Sequence, residues 1–564
     1  MTRVRWFALL AVLALVAAAC GTTAETTTTT AAPETTTTTA APETTTTGVP
    51  GFEFEGLSVA AESCDYGGKI QSIEATGEFE VTFTMCSPAP AFREIVAFAV
   101  FGVQPEEHLE ATGGSPLDNP VGTGPFVLDA WNRGDSIVFQ ANDSYWGDPP
   151  AYQTLVFRWA TESAARLLEL QSGNADYITN LAAADIPTVE GDSNLTLLPN
   201  QNPNIFYLGM STNVAPFDDP AVRQAIALGI NRQQIVDNFY PPGSEVASHF
   251  VPCSIQNGCE GEEWYEFDPE AGRQLLADAG FEGFETTLYY RDVFRVYLPE
   301  PGAVANEIAQ QLSDNLGINA SVQVVESGEF IDVSGDGAYP LYLLGWGADY
   351  PHVTNFLDYH FGEANPQFGA VYPDIYENLV EAGSIGDPAA AAPLYEAANN
   401  AIKANVPMVP IAHGASADAA LTTLEGAVSP VFGAPQFQLM NPGKDTLVFV
   451  QNAEPISMYC SDETDGESLS ACQQVVEGLL GYDLEGGIVP KLATGCEPND
   501  DATVWVCTIR EGVLFHNGGT LDANDVVASW AAGIDASNPL HVGNTGAFEY
   551  YSYLWTSLMN VPEG

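Results

Sequence analysis

Positive charge is scarce in this chain. Its 564 residues include 16 lysines and arginines against 74 aspartates and glutamates, a formal net charge of −58. Such a surface repels nucleic acid and anionic lipid, so neither is expected as a partner. It stays soluble and tolerates salt, because ions screen its self-repulsion. A second long apolar run is missing too. Past the first twenty residues nothing approaches the ~18 apolar residues of a membrane-spanning helix. No CxxC pair occurs, which weakens a zinc reading of the cysteines. The seven histidines show no HExxH-type spacing, so no metal site built on a local motif is expected. G-x-S-x-G and P-loop motifs are absent, and no catalytic residue is assigned. A secreted glycosidase would need paired carboxylates, but 74 acids make chance pairs plentiful and decide nothing. Neither an enzyme nor a cofactor is expected.

What is present points to an exported globular protein. Hydrophobic residues make up 46% and aromatics 10%, enough for a sizeable core in two to four domains. Residues 1–20, "MTRVRWFALLAVLALVAAAC", carry a short basic head and an apolar run too short to span a bilayer comfortably, which reads as a secretory signal. Its cysteine placement resembles the lipobox of bacterial lipoproteins. That resemblance implies a lipid on Cys20; an ordinary signal with an incidental Cys20 is the alternative. Residues 21–50 form a Thr-rich, Pro-punctuated tether that cannot bury a core. Eight cysteines follow, an even number that suggests disulfides in an exported protein. Local spacing favours Cys64–Cys86, Cys253–Cys259, Cys460–Cys472 and Cys496–Cys507.

From residue 51 the pattern is mixed α/β. "KIQSIEATGEFEVTFTM" alternates as a hairpin, and "NIFYLGMS" reads as a strand. "DDPAVRQAIALGINRQQIVDNF" predicts one long helix behind an Asp cap. "YPLYLLGWGADYPH" predicts an apolar strand running into a turn that holds Gly, aromatics and one acid. Sheets covered by helices follow.

Seven stretches carry a family resemblance: "PVGTGPFVL" (120–128), "SYWGDPP" (144–150), "LQSGNADY" (170–177), "PFDDPAVRQAIALGINRQQIV" (216–236), "FDPEAGRQLLADAGF" (267–281), "RVYLPEP" (295–301) and "LLGWGADYPHVTNFL" (343–357). In order and spacing they resemble the extracytoplasmic solute-binding proteins of ABC importers, in the dipeptide, oligopeptide and nickel class known as family 5. The match spans roughly residues 70–430. It implies a two-lobed, periplasmic-binding-protein-like α/β fold of the three-subdomain type (class II), closing by a hinge on its ligand. It also implies a monomer that delivers short peptides to an ABC permease and ATPase. With Cys20 lipidated, the protein would sit on the outer face of the bacterial cytoplasmic membrane. Carriers of a metal complex share the class, and a surface sensing module reusing the fold is a further alternative.

The order of segments departs from the family. "GGIVPKLATGCEPNDDATVWVCTIREGVLFHNGGTLDANDVVASW" (486–530) resembles an early family segment, yet it follows "VSPVFGAPQFQLM" (428–440), which resembles the usual carboxyl end. The chain therefore resembles a circularly permuted member, with "NPGKD" (441–445) as the joining loop. Termini that lie close together make such joining inexpensive. A domain-swapped dimer or a gene-boundary artefact is the alternative. The expected divisions are 51–126 plus 484–564 as a small subdomain of lobe 1, 127–245 plus 421–483 as its main subdomain, and 246–420 as lobe 2.

A peptide zwitterion needs an acid and a base at fixed positions, since neither of its charges is buried cheaply alone. The resemblance implies Asp349 of "GWGADYPH" for the ligand's ammonium and Arg295 of "RVYLPEP" for its carboxylate. A guanidinium can bond a carboxylate with two parallel N–H groups. Trp346 and Tyr350 flank the acid as candidate ligand contacts. Where the family has Asp-Pro after this motif, His352-Val353 stands here, a departure that falls in the turn. His413 in "PIAHG" reads as a hydrogen-bonded structural histidine.

Overall fold

In a computed structural model of the chain, residues 54–362 and 365–562 are described. The signal, the tether and Cys20 lie outside them. Among the described residues no helix is long and apolar enough to cross a membrane.

Three large sheets organise the described chain. A seven-stranded sheet runs in the spatial order Phe126–Asn132, Ser136–Ala141, Thr154–Trp159, Thr446–Gln451, Tyr177–Ile178, Ser416–Leu421, Leu195–Asn200. A six-stranded sheet runs Glu245–Val246, Met408–His413, Asn204–Met210, Leu341–Gly347, Glu285–Arg291, Asn319–Val325. The five-stranded sheet is Ser58–Ala60, Ile70–Gly77, Glu80–Met85, Val504–Ile509, Ala493–Pro498.

Late strands sit inside sheets begun by early ones. Val504–Ile509 pairs antiparallel with Glu80–Met85. Thr446–Gln451 is central in its sheet, parallel to Thr154–Trp159 on one side and to Tyr177–Ile178 on the other. The core is shared as well. Trp530 stacks on Phe101 at 4.7 Å and meets Phe83 edge-on at 5.0 Å, and Trp505 stacks on Phe92 at 4.8 Å. Such aromatic pairs add to the hydrophobic gain of burying the rings.

Several motif stretches hold early and late segments together. Gly124 donates its N–H to Val475 at 2.9 Å, and a Cβ there would stand 2.6 Å from the Gln474 carbonyl oxygen. Only glycine lets the two backbones approach so closely. Tyr145 and Trp146 donate to the buried Glu477 at 3.0 and 2.7 Å. Asp176 of "GNADY" pairs with Lys444 of "NPGKD" at 2.8 Å and accepts from the Val448 N–H at 2.8 Å.

The structure corrects two expectations. Residues 218–239 form two helices, Pro220–Gly229 and Arg232–Phe239, because Asn231 interrupts the first and caps the second by accepting from the Gln234 N–H at 3.1 Å. Strand Asn204–Met210, expected with the main subdomain of lobe 1, lies in the six-stranded sheet. Every one of its residues is buried, as a central strand covered on both faces requires.

All four disulfides, Cys64–Cys86, Cys253–Cys259, Cys460–Cys472 and Cys496–Cys507, are present. A ring nitrogen of His249 lies within 4.8 Å of the sulfurs of Cys253 and Cys259, but their bond leaves no thiolate to offer a metal.

Candidate ligand-binding site

Strand Leu341–Gly347 is apolar and central, flanked by Asn204–Met210 and Glu285–Arg291. Its carboxyl end carries Trp346, and the turn beyond it carries Asp349. Arg291 ends the neighbouring parallel strand. Ligands of open α/β sheets bind at such carboxyl ends. Asp349, Trp346 and Arg291 line one cavity of about 280 Å³, together with Tyr297, Tyr359 and Tyr550.

Asn355 builds the acidic corner. It is wholly buried. Its Oδ1 accepts from the Asp349 N–H and from the Trp346 indole N–H, each at 3.1 Å. Its Nδ2 donates to Asp349 Oδ2 at 3.0 Å. Tyr550, from the far end of the chain, donates its hydroxyl to Oδ1 at 3.0 Å. Two donors leave the carboxylate with unused lone pairs on both oxygens. Burial pushes the Asp349 carboxyl up to about 6, while the hydrogen bonds from Asn355 and Tyr550 hold it down in part.

Arg291 supplies the opposite charge. Its guanidinium donates to Ser327 Oγ and to the Tyr297 hydroxyl, both at 3.2 Å. Both partners are neutral, and among the described residues no carboxylate lies within 4.0 Å of it. Its charge is therefore free to meet an anion.

Asp349 and Trp346 meet in this cavity. The Trp346 ring stacks on Tyr359 at 4.5 Å, with Tyr553 tilted against it at 5.8 Å. Tyr350 is buried, shares a hydrogen bond with Thr354 Oγ1 at 3.1 Å, and faces a neighbouring cavity instead. Arg295 is not brought to Asp349. It is exposed in a tight turn, with its guanidinium on the Phe294 carbonyl at 2.8 Å. His352 holds its turn through local bonding: burial drops its imidazole to about 4, and neutral Nδ1 accepts from the Thr354 N–H at 3.3 Å and lies 2.8 Å from the Thr354 hydroxyl, one residue before Val353, the N-cap of helix Thr354–Phe361. His413 donates Nδ1–H to the Asn204 carbonyl at 2.6 Å.

Arg291, Asn355, Tyr359 and Tyr550 were missed in the sequence. Asn355 lies six residues beyond Asp349 inside the motif, and that proximity was a usable signal. Tyr550 sits 201 residues away, in "EYYSYLW", where nothing local marks it.

The profile described as bacterial extracellular solute-binding proteins, family 5 Middle, matches residues 26–368 and 487–547. Di/tripeptide-binding protein 1 of Pseudomonas aeruginosa (strain UCBPP-PA14) is 30% identical over 387 residues, which are 66% of this chain and 72% of that one. The dipeptide-binding protein of Escherichia coli (strain K12) is 27% identical over 380 residues, 65% of this chain and 71% of that one. Among solved structures, a dipeptide binding protein from Pseudoalteromonas sp. SM9913 in complex with Met-Leu superposes with a TM-score of 0.58 at 25% identity, covering 66% of this chain and 76% of that one. A two-lobed α/β binder of solutes rather than an enzyme, this chain belongs to the bacterial extracellular solute-binding proteins, family 5.

Proposed function

We propose that this solute-binding protein is a receptor for short peptides, anchored through Cys20 at the outer face of the cytoplasmic membrane and feeding an ABC permease and ATPase. One observation carries the reading. A carboxylate with spare lone pairs, Asp349, and a guanidinium with no acidic partner, Arg291, line the same small cavity. Asp349 takes the ligand's ammonium. We assign its carboxylate to Arg291, which already shares the cavity, over Arg295, which the resemblance implies. Trp346 and Tyr359 supply an aromatic wall for the first side chain.

Two further features belong to the same proposal. Tyr550 reaches Asp349 from the terminal part of the small subdomain, so lobe closure would seal the cavity by that contact. The late strands embedded in early sheets support a permuted order of segments, and we take the chain to be a monomer. We propose a subdomain division close to the expected one, with its lobe boundary near residue 203, where the strand Asn204–Met210 enters the six-stranded sheet. Sedimentation at a mass near 60.0 kDa would fit the monomer; a doubled mass would favour the swap.

Calorimetry tests the ligand. Dialanine should bind the wild type, and Asp349→Ala should weaken it by about 2–5 kcal/mol, the usual loss when one member of a buried charge pair goes. Equal affinity in the two proteins would reject Asp349. Mass spectrometry of co-purified solute checks the ligand class independently; a metal complex in place of peptide would replace the reading.

A further inference from the structure

We propose that a second chamber beside the Asp349 cavity is a subsite for a basic side chain of the ligand, with the Asp358 carboxylate as its receiving group. It rests on the peptide reading above. The chamber is about 680 Å³, and Lys69, Tyr350, Thr354, Asp358 and Tyr553 line it. Tyr359 and Gln367 line both cavities, so a ligand seated on Asp349 has the chamber next to it.

Asp358 sits on helix Thr354–Phe361. Its Oδ1 is buried and receives no hydrogen bond. A buried carboxylate oxygen without a donor is costly to keep, and it gains most from a charged donor. Burial raises the Asp358 carboxyl to about 6, and the nearby Lys69 charge pulls it down in part. At neutral pH it is therefore mostly ionised. Lys69 does not satisfy it, because no ion pair joins them within 4.0 Å. An entering guanidinium or ammonium supplies the missing donor. The rings of Tyr350, Tyr359 and Tyr553 suit the stem and charge of such a side chain. The net charge of −58 draws cationic peptides toward the molecule before they dock. Lys69 opposes a cation in the chamber and would favour an acidic side chain, which makes the two outcomes separable.

Calorimetry with Ala-Ala, Ala-Arg and Ala-Glu tests this. In the wild type Ala-Arg should bind about tenfold tighter than Ala-Ala, and Ala-Glu weaker than either. The Ala-Arg to Ala-Ala ratio should fall to within about twofold of unity in Asp358→Asn, and should widen in Lys69→Met. A ratio near unity in the wild type, a ratio unchanged by Asp358→Asn, or a preference for Ala-Glu would overturn the proposal. If no peptide bound at all, the peptide reading would fall by itself. Agmatine, a guanidinium without a peptide backbone, would then decide the chamber. Binding lost in Asp358→Asn would sustain it, and no binding to the wild type would end it.

Discussion

At the scale of single residues, scarcity of cations makes each placement informative. Arg166 donates to the carbonyls of Ala160, Thr161, Thr179 and Asn180. Arg223 serves those of Phe217, Asp218, Asn405 and Val406. These arginines are committed to main-chain carbonyls in a chain full of acids, whereas Arg291 keeps its charge for the cavity. Substituting Arg291→Met should therefore cost dialanine several-fold in affinity, and a C-terminally amidated peptide should lose affinity in the wild type but little more in the variant. The same experiment with Arg295→Met discriminates the two arginines; if Arg295→Met alone removes the sensitivity to amidation, the assignment to Arg291 is wrong. The raised Asp349 carboxyl gives a pH signature. A ligand ammonium pairs only with the ionised form, so binding drives the proton off. Affinity for dialanine should hold above about pH 6 and fall by up to about tenfold per unit below it. Asp349→Asn should bind weakly and without that slope. A slope that persists in the variant would locate the titration elsewhere.

At the scale of elements, the motif stretches do structural work more than ligand work. "PVGTGPF" approaches the backbone of 474–475, "SYWGDPP" holds Glu477, and "GNADY" holds Lys444 of "NPGKD". Gly124→Ala would force the facing backbones apart and should cost on the order of 1–3 kcal/mol in urea unfolding, as overpacking does. No change in midpoint would mean the loop yields freely. Periodicity made strands and helices legible here, because burial repeats along them. The break at Asn231 was not legible, since an apolar helical stripe continues on both sides of it and only the cap chemistry ends the first helix. Likewise the uniformly apolar "NIFYLGM" announced a central strand but not which sheet it enters.

At the scale of the whole molecule, the late segment completes the early one. Thr446–Gln451 stands in the middle of the seven-stranded sheet, and Trp505, Trp530 and Trp555 fill the core under Phe83, Phe92 and Phe101. Residues 54–440 alone would expose that core face and leave three strands, Thr154–Trp159, Tyr177–Ile178 and Glu80–Met85, with an unpaired edge. Expressed as a fragment they should show no cooperative thermal transition, and co-expressed residues 441–562 should restore one. A sharp transition in the lone fragment would mean that the two parts fold separately.

Chain pattern by itself determined the class of fold, the family, the pairing of neighbouring cysteines and the acid at the end of the "GWGAD" strand. Those follow from short-range regularities: alternation, caps, loop closure and motifs contiguous along the chain. Only the tertiary structure decided that Tyr550 and Arg291 join Asp349, that Arg295 faces solvent, and that Asp358 and Lys69 share a chamber. Such groups meet because sheets pack and a terminal helix folds back across hundreds of residues, and a contact of that kind leaves no periodicity in the sequence to read.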